Sequence, residues 1–142
     1  MSTETNKATV RRMIEQVWNE HRLDLVEEFY SEDVILHSAG FPSSTGLEAV
    51  RAATAIGLKA FPDQQLTIEG EIAEGDTVAA RWTSRGTHKG ELMGIPPTGK
   101  QFAHAGMTFY RLANAKIVEA WFVADTLGQM QQLGVIPALE TD

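Results

Sequence analysis

The sequence predicts an α+β fold in which a curved antiparallel sheet is wrapped by N-terminal helices. Three observations carry that expectation. Apolar residues recur with a helical period up to Phe61, and after Pro62 the pattern switches to strict alternation. Helices therefore come first and hairpin-linked strands last, the order of an α+β domain rather than of a doubly wound parallel sheet. The length, 142 residues, suits one domain over 1–142.

The first helix is expected from about Lys7 to His21. Val10, Met13, Ile14, Val17 and Trp18 fall at i, i+3, i+4, i+7 and i+8, which makes one apolar stripe. Asp24 is read as the N-cap of a short second helix bearing Leu25, Val26, Phe29 and Tyr30. Val34 to Leu36 reads as a short strand ending at His37, followed by a loop of Gly40, Pro42, Ser43 and Ser44. Thr45 and Glu48 have capping-box spacing. The helix after them would bury Leu47, Val50, Thr54, Leu58 and Phe61 until Pro62 stops it. Strands are then expected over 66–73 and 77–88, joined at Gly75-Asp76. A loop rich in Gly and Pro covers 90–100. Two further strands, 102–112 and 117–124, are joined at Asn114-Ala115. A last helix over 127–133 ends at Gly134, where glycine takes positive φ cheaply.

Composition excludes several function classes. The chain has no cysteine, so disulfides, thiolate metal sites and thiol catalysis are impossible. Twelve Lys and Arg against 19 Asp and Glu leave a net charge of −7, which argues against a nucleic-acid partner. No apolar run approaches the ~20 residues that span a bilayer, and the polar N-terminus lacks the apolar core of a signal peptide. A soluble cytoplasmic protein with no membrane partner is the expectation.

Gly94 to Lys100 fits G-x-x-x-x-G-K, but Gln101 stands where a phosphate loop needs Ser or Thr, and Pro96 and Pro97 offer no N–H. A rigid connection between strands is the better reading. The histidines, His21, His37, His88 and His104, show no metal-ligand spacing, so no metal is expected. His21 and His88 read as solvated residues at element ends. His37 reads either as a cavity residue or as a hydrogen-bonded core or rim residue. A two-residue turn at Asn114-Ala115 places His104 directly across from Asp125, a pair suited to general acid–base work. A bulge at Gly106 would instead move Asp125 to the face of Met107, Phe109 and Arg111. Asp125 also stands where an N-cap belongs. Trp18, Trp121, Phe29, Phe41, Phe61 and Met107 either line a cavity or pack as ordinary core, and Leu92-Met93 either covers a cavity mouth or meets a partner.

These residues carry a resemblance. Phe29-Tyr30-Ser31-Glu32-Asp33-Val34, Ala60-Phe61-Pro62-Asp63, Ile72-Ala73-Glu74-Gly75-Asp76-Thr77-Val78 and Gly86-Thr87-His88-Lys89-Gly90 resemble the SnoaL-like polyketide cyclase or ester cyclase family of the NTF2-like superfamily. So do Gly94 to Lys100, Lys116-Ile117-Val118-Glu119-Ala120-Trp121, and Asp125 with Gln132-Leu133-Gly134. The resemblance implies a cone-shaped α+β fold, a homodimer formed through the sheet, and no metal or organic cofactor. It also implies that an aspartate before the last helix, here Asp125, is the acid/base of an intramolecular aldol closure. A histidine is expected fourteen residues earlier, and that position here is Arg111. His104 lies a further ~23 Å along the same strand at ~3.3 Å per residue.

The expected function is cofactor-independent acid–base chemistry on a small hydrophobic carbonyl or ester. Asp125, Arg111 and His104 are the catalytic candidates, and His37, Phe41, Phe61, Met107, Trp18 and Trp121 the substrate-binding candidates. A non-catalytic module for a hydrophobic metabolite, or an isomerase or epoxide hydrolase on the same fold, stands as the alternative.

Overall fold

The computed structural model describes residues 2–138, so Met1 and 139–142 of the expected domain lie outside the described residues. Six strands form one sheet in the order β2-β1-β6-β5-β4-β3. They are β1 (Tyr30–Ser38), β2 (Ser44–Thr45), β3 (Gln65–Glu74), β4 (Thr77–Thr87), β5 (Gln101–Ala113) and β6 (Lys116–Ala124). The helices are α1 (Thr3–Met13), α2 (Val26–Phe29), α3 (Leu47–Ala60) and α4 (Thr126–Gln132). The α+β order of the elements is as the periodicity predicts.

Helix α1 begins at Ser2, whose hydroxyl accepts from the Thr5 N–H, and runs on through a π-helical segment, Ile14–Asn19. Val10, Met13, Ile14 and Val17 are all buried, with Trp18 packed beside them. This stripe meets Val78, Ala80, Tyr110, Leu112, Ile117 and Ala120 from the sheet, so helical and alternating patterns close on one core. A second core joins Ala60 and Phe61 to Leu92, Phe102, Met130 and Leu133. Leu92 thus packs inside, while Met93 is exposed.

Four local expectations are corrected. Asp24 lies within a 3₁₀ turn, Leu23–Leu25, and pairs with Arg22 at 2.8 Å instead of capping a helix. Thr45 and Glu48 form no capping box. Thr45 pairs with Ile35 in β2, and Gly46 (φ 99°) is the N-cap of α3. Strand β1 is longer than Val34–Leu36 and runs parallel to β6, a pairing between sequence-distant segments that alternation cannot reveal. His88 is not solvated but fully buried, its Nδ1 accepting from the Thr98 N–H at 3.2 Å. Hydrogen bonds from His88 N–H to Lys100 and from Gly99 N–H to the His88 carbonyl fix the loop between β4 and β5. At Gly90 a Cβ would lie 2.1 Å from the Lys59 carbonyl oxygen, so only glycine lets this loop dock under the end of α3.

The candidate acid–base site

The last hairpin decides which side chains can meet. Asn114 and Ala115 both take positive φ, 51° and 65°, as a two-residue type I′ turn requires. Ala113 faces Lys116 and Leu112 faces Ile117, but then Val118 is extruded and Arg111 faces Glu119. The one-residue shift persists: Gly106 faces Ala124, and the Asp125 N–H donates to the Ala105 carbonyl at 2.9 Å. Asp125 is therefore across from Ala105, and the expected His104–Asp125 register pair is corrected. The bulge lies at Val118 rather than at Gly106. Position 106 is glycine because Trp82 lies upon it, with Cζ2 only 2.2 Å from where a Cβ would stand.

Because side chains alternate, this register sorts the candidates onto two faces. Phe102, His104, Gly106, Thr108 and Tyr110 turn towards the helices. Met107, Phe109 and Arg111 turn outward with Glu119, Trp121 and Val123. His37, beside Trp121 in β1, joins the outer group. Its Nε2 bonds Glu119 Oε2 at 2.7 Å, its Nδ1 bonds Ser43 Oγ at 2.8 Å, and its ring stacks on Trp121. Arg111 donates to Glu119 Oε1 at 2.9 Å. Bonds from His37 and then Arg111 hold the Glu119 carboxyl below its usual range. Arg111, His37, Met107 and Trp121 thus do not reach the covered face. Phe41 is exposed in the loop after β1.

Asp125 is exposed, and its Oδ1 accepts from the Gly128 N–H at 2.9 Å. It is the N-cap of α4.

The covered face gathers different chemistry around His104. The ring lies edge-on to Trp82 (centroids 5.8 Å apart) and to Phe102 (5.2 Å). Its Nδ1 is buried with no hydrogen-bond partner. Burial lowers its pKa from the ordinary histidine value, opposed by the Ser84 backbone and by the charge of Asp125. Trp82 donates from Nε1 to Thr108 Oγ1 at 3.1 Å and stacks on Phe122, which is 40% exposed. Ser84, directly across from His104, is fully buried and accepts from Gln64 Nε2 at 2.8 Å.

Gln64 is placed by the turn before it. Both carboxylate oxygens of Asp63 accept from Thr87, from its N–H and its hydroxyl, each at 2.7 Å. That pins the Pro62-Asp63 turn to β4. Phe61 lies beside this turn, against Phe102 (4.6 Å) and His88 (5.7 Å). Trp18 reaches the same region at Gly57. Of the expected residues, His104, Phe61 and Trp18 are therefore on or near the covered face. Trp82, Phe122, Ser84 and Gln64 were missed. Alternation marks Trp82 and Ser84 as sharing a face with Val78 and Ala80, but nothing local to the sequence marks Gln64.

The arrangement offers a neutral imidazole within an aromatic surround, able to accept a proton or a hydrogen bond. Among the described residues no group of three or more His, Cys, Asp or Glu could hold a metal ion. A cleft of about 710 Å³ opens elsewhere, lined by Glu27, Tyr30, Ser31, Glu32, Asp33, Leu47 and Lys116. Glu27, Glu32 and Asp33 make its wall acidic. No described helix is long and apolar enough to cross a membrane.

Comparison with known proteins agrees with this architecture. The family model for the SnoaL-like polyketide cyclase matches residues 8–133. The chain belongs to the SnoaL-like polyketide cyclase family. It is 34% identical over 137 residues to the aklanonic acid methyl ester cyclase DnrD of Streptomyces peucetius, covering 94% of this chain and 92% of that one. To DauD of Streptomyces sp. (strain C5), also an aklanonic acid methyl ester cyclase, it is 33% identical over 128 residues, covering 88% and 79%. Among solved structures, AclR, a candidate hydroxylase from Streptomyces galilaeus, superposes with a TM-score of 0.87 at 32% identity, covering 99% of this chain and 87% of that one. Membership in the SnoaL-like family supports a cyclase function for the chain.

Within that family frame the bulge at Val118 has a direct consequence. Arg111, fourteen residues before Asp125, faces outward beside Glu119 and cannot share a cavity with residues on the covered face.

Proposed function

We propose that this SnoaL-like chain is a cyclase-type enzyme that transfers protons, without a cofactor, on a small hydrophobic carbonyl or ester compound. The substrate would lie against the covered face at Trp82, Phe122 and His104. The observation that carries this reading is the unpartnered, buried Nδ1 of His104 inside an aromatic surround. A neutral imidazole there removes an acidic C–H proton and returns it to the developing alkoxide, the two proton movements of an aldol-type closure. Asp125 acts from outside the site, where its charge favours the protonated imidazole. Proton–deuterium exchange next to the carbonyl of simple aryl ketones and β-keto esters, followed by NMR, tests the assignment. His104→Gln should retain the fold and lose exchange by at least a hundredfold, whereas Asp125→Asn should lose less than tenfold. Full exchange in His104→Gln would remove the assignment. Binding without exchange in the wild type would favour a non-catalytic binding module.

We also propose that a second copy of the chain covers the outer sheet face. Ile72, Met107, Phe109, Trp121 and Val123 are exposed there on β3, β5 and β6. Such a patch is larger than scattered surface hydrophobes produce. Arg111 and Glu119 on the same face let a two-fold partner match opposite charges. Light scattering should give a dimer mass for the wild type and a monomer mass for Phe109→Glu.

A further inference from the structure

The outer sheet face carries a polar cluster that the cyclase reading leaves unused. Strands β1 and β2 pair with Ile35 opposite Thr45 and Leu36 opposite Ser44. Extending that register by one residue sets Ser43 opposite His37. The Gly46 N–H donates to the Val34 carbonyl, so the ladder bonds alternate onto Leu36 and Ser44, and His37 and Ser43 form a non-hydrogen-bonded pair. Side chains come closest at such pairs, which is why His37 Nδ1 reaches Ser43 Oγ at 2.8 Å. On the other flank of β1, His37 Nε2 reaches Glu119 Oε2 at 2.7 Å. Arg111 donates to the second carboxylate oxygen, Oε1, at 2.9 Å and so holds Oε2 towards the ring. Val34 and Leu36 pack on the core, and alternation therefore turns His37 outward.

The hydrogen-bond directions follow from the carboxylate. Bonds from His37 and Arg111 keep Glu119 ionised. An ionised carboxylate only accepts, so Nε2 carries the ring proton. In the neutral ring Nδ1 is then the acceptor, and the Ser43 hydroxyl donates to it. A hydroxyl bonded to a base that a third group orients is the arrangement of an activated nucleophile. Ser43 is exposed and the His37 side chain is 32% exposed, so a solute can reach both. An apolar shelf lies beside them. His37 stacks on Trp121 with ring centroids 5.4 Å apart, Phe109 faces Trp121 on the next strand, and both of these rings are exposed.

We propose that Ser43, His37 and Glu119 form a second catalytic site, separate from the covered face, that hydrolyses small aryl esters. The aryl ring lies on the shelf of Trp121 and Phe109. The Ser43 oxygen bonds to the acyl carbon while its proton passes to Nδ1. Nδ1 gives that proton to the phenolate oxygen as the bond from that oxygen to the acyl carbon breaks. Water then bonds to the acyl carbon, its proton passes through Nδ1 back to the Ser43 oxygen, and the carboxylic acid leaves. Glu119 touches the ring and not the ester, so it is a positioning residue. The Ser43 N–H points away from β1 at the free edge of β2 and is the donor available to the tetrahedral oxyanion. A single donor suits esters whose leaving group is a stabilised phenolate, which sets the substrate class. Because β2 is the edge strand, Ser43 stands at the margin of the patch assigned to the second copy.

Two probes test the site: diisopropyl fluorophosphate, which stays on an activated serine, and p-nitrophenyl acetate. The fluorophosphate should modify Ser43 of the wild type, located by peptide mass mapping, and His37→Gln should abolish the modification. The wild type should hydrolyse p-nitrophenyl acetate at least tenfold faster than Ser43→Ala, a substitution that removes only an exposed hydroxyl. Glu119→Gln should slow hydrolysis at least tenfold, and nitrogen NMR of the His37 ring should show the Nε2–H tautomer of the wild type give way in that variant. An unmodified Ser43, or one modified equally in His37→Gln, overturns the proposal. Hydrolysis unchanged in Ser43→Ala overturns it as well. A wild-type ring with its proton on Nδ1 overturns the role of Glu119.

Discussion

Gly106→Ala should be among the most damaging small substitutions in this chain, and the structure gives the size of the effect. Trp82 and Gly106 face each other directly across β4 and β5. A Cβ at 106 would lie 2.2 Å from Cζ2 and 2.4 Å from Cη2 of the indole. Carbon atoms prefer about 3.5–4.0 Å, so the ring must retreat by roughly 1.3 Å or the strands must part. Overpacking of this kind costs about 1–3 kcal/mol. Retreat also strains the Trp82–Thr108 hydrogen bond, worth about 1 kcal/mol. It disturbs the stack on Phe122 and the edge contact with His104, worth about 1 kcal/mol more. A loss near 3 kcal/mol corresponds to a fall in Tm of about 10 °C for a domain of this size. Thermal melting followed by circular dichroism measures it, and the near-ultraviolet tryptophan signal should change at the same time. A Tm within 2 °C of wild type would refute the reasoning, because it would mean that the indole has room the geometry denies it.

Two further outcomes follow from the same geometry. Asp125→Ala should lower Tm by about 4 °C through loss of a cap worth ~1 kcal/mol, whereas Asp125→Asn, which caps equally well, should leave it within 1 °C. Acid stability should fall in two stages. The folded pKa of His104 is lowered from 6.5, so below that value the unfolded chain binds the proton more readily and stability declines as pH falls through the lowered pKa. Glu119, lowered from 4.5 by His37 and Arg111, adds a second decline below that value by the same sign. In urea midpoints measured from pH 8 to 3, His104→Gln should remove the upper stage and Glu119→Gln the lower one.

The helix stripe of Val10, Met13, Ile14 and Val17, the stop at Pro62, the turns at Gly75-Asp76 and Asn114-Ala115, and the glycine at 134 are all legible in the sequence. Each depends on neighbours within a few residues, through period, fixed φ or tolerated positive φ. The family is legible too, because its motifs are local strings. The candidate site was less so. Asp125 as an N-cap followed from position alone, but its partner across the hairpin depended on whether the register slipped, and nothing in Lys116 to Glu119 announces an extruded Val118. One extra residue on β6 moves Asp125 away from His104 and sets Glu119 against Arg111 on the outer face. Gln64 was invisible for a different reason. Its partners, Ser84 on β4 and Gly57 on α3, meet only after helix and sheet have packed. The sequence by itself determined the order of elements and the family, because periodicity and turn chemistry act over short range. Tertiary structure alone decided which polar groups share the buried face, because strand register and helix docking are set by the summed packing of distant side chains.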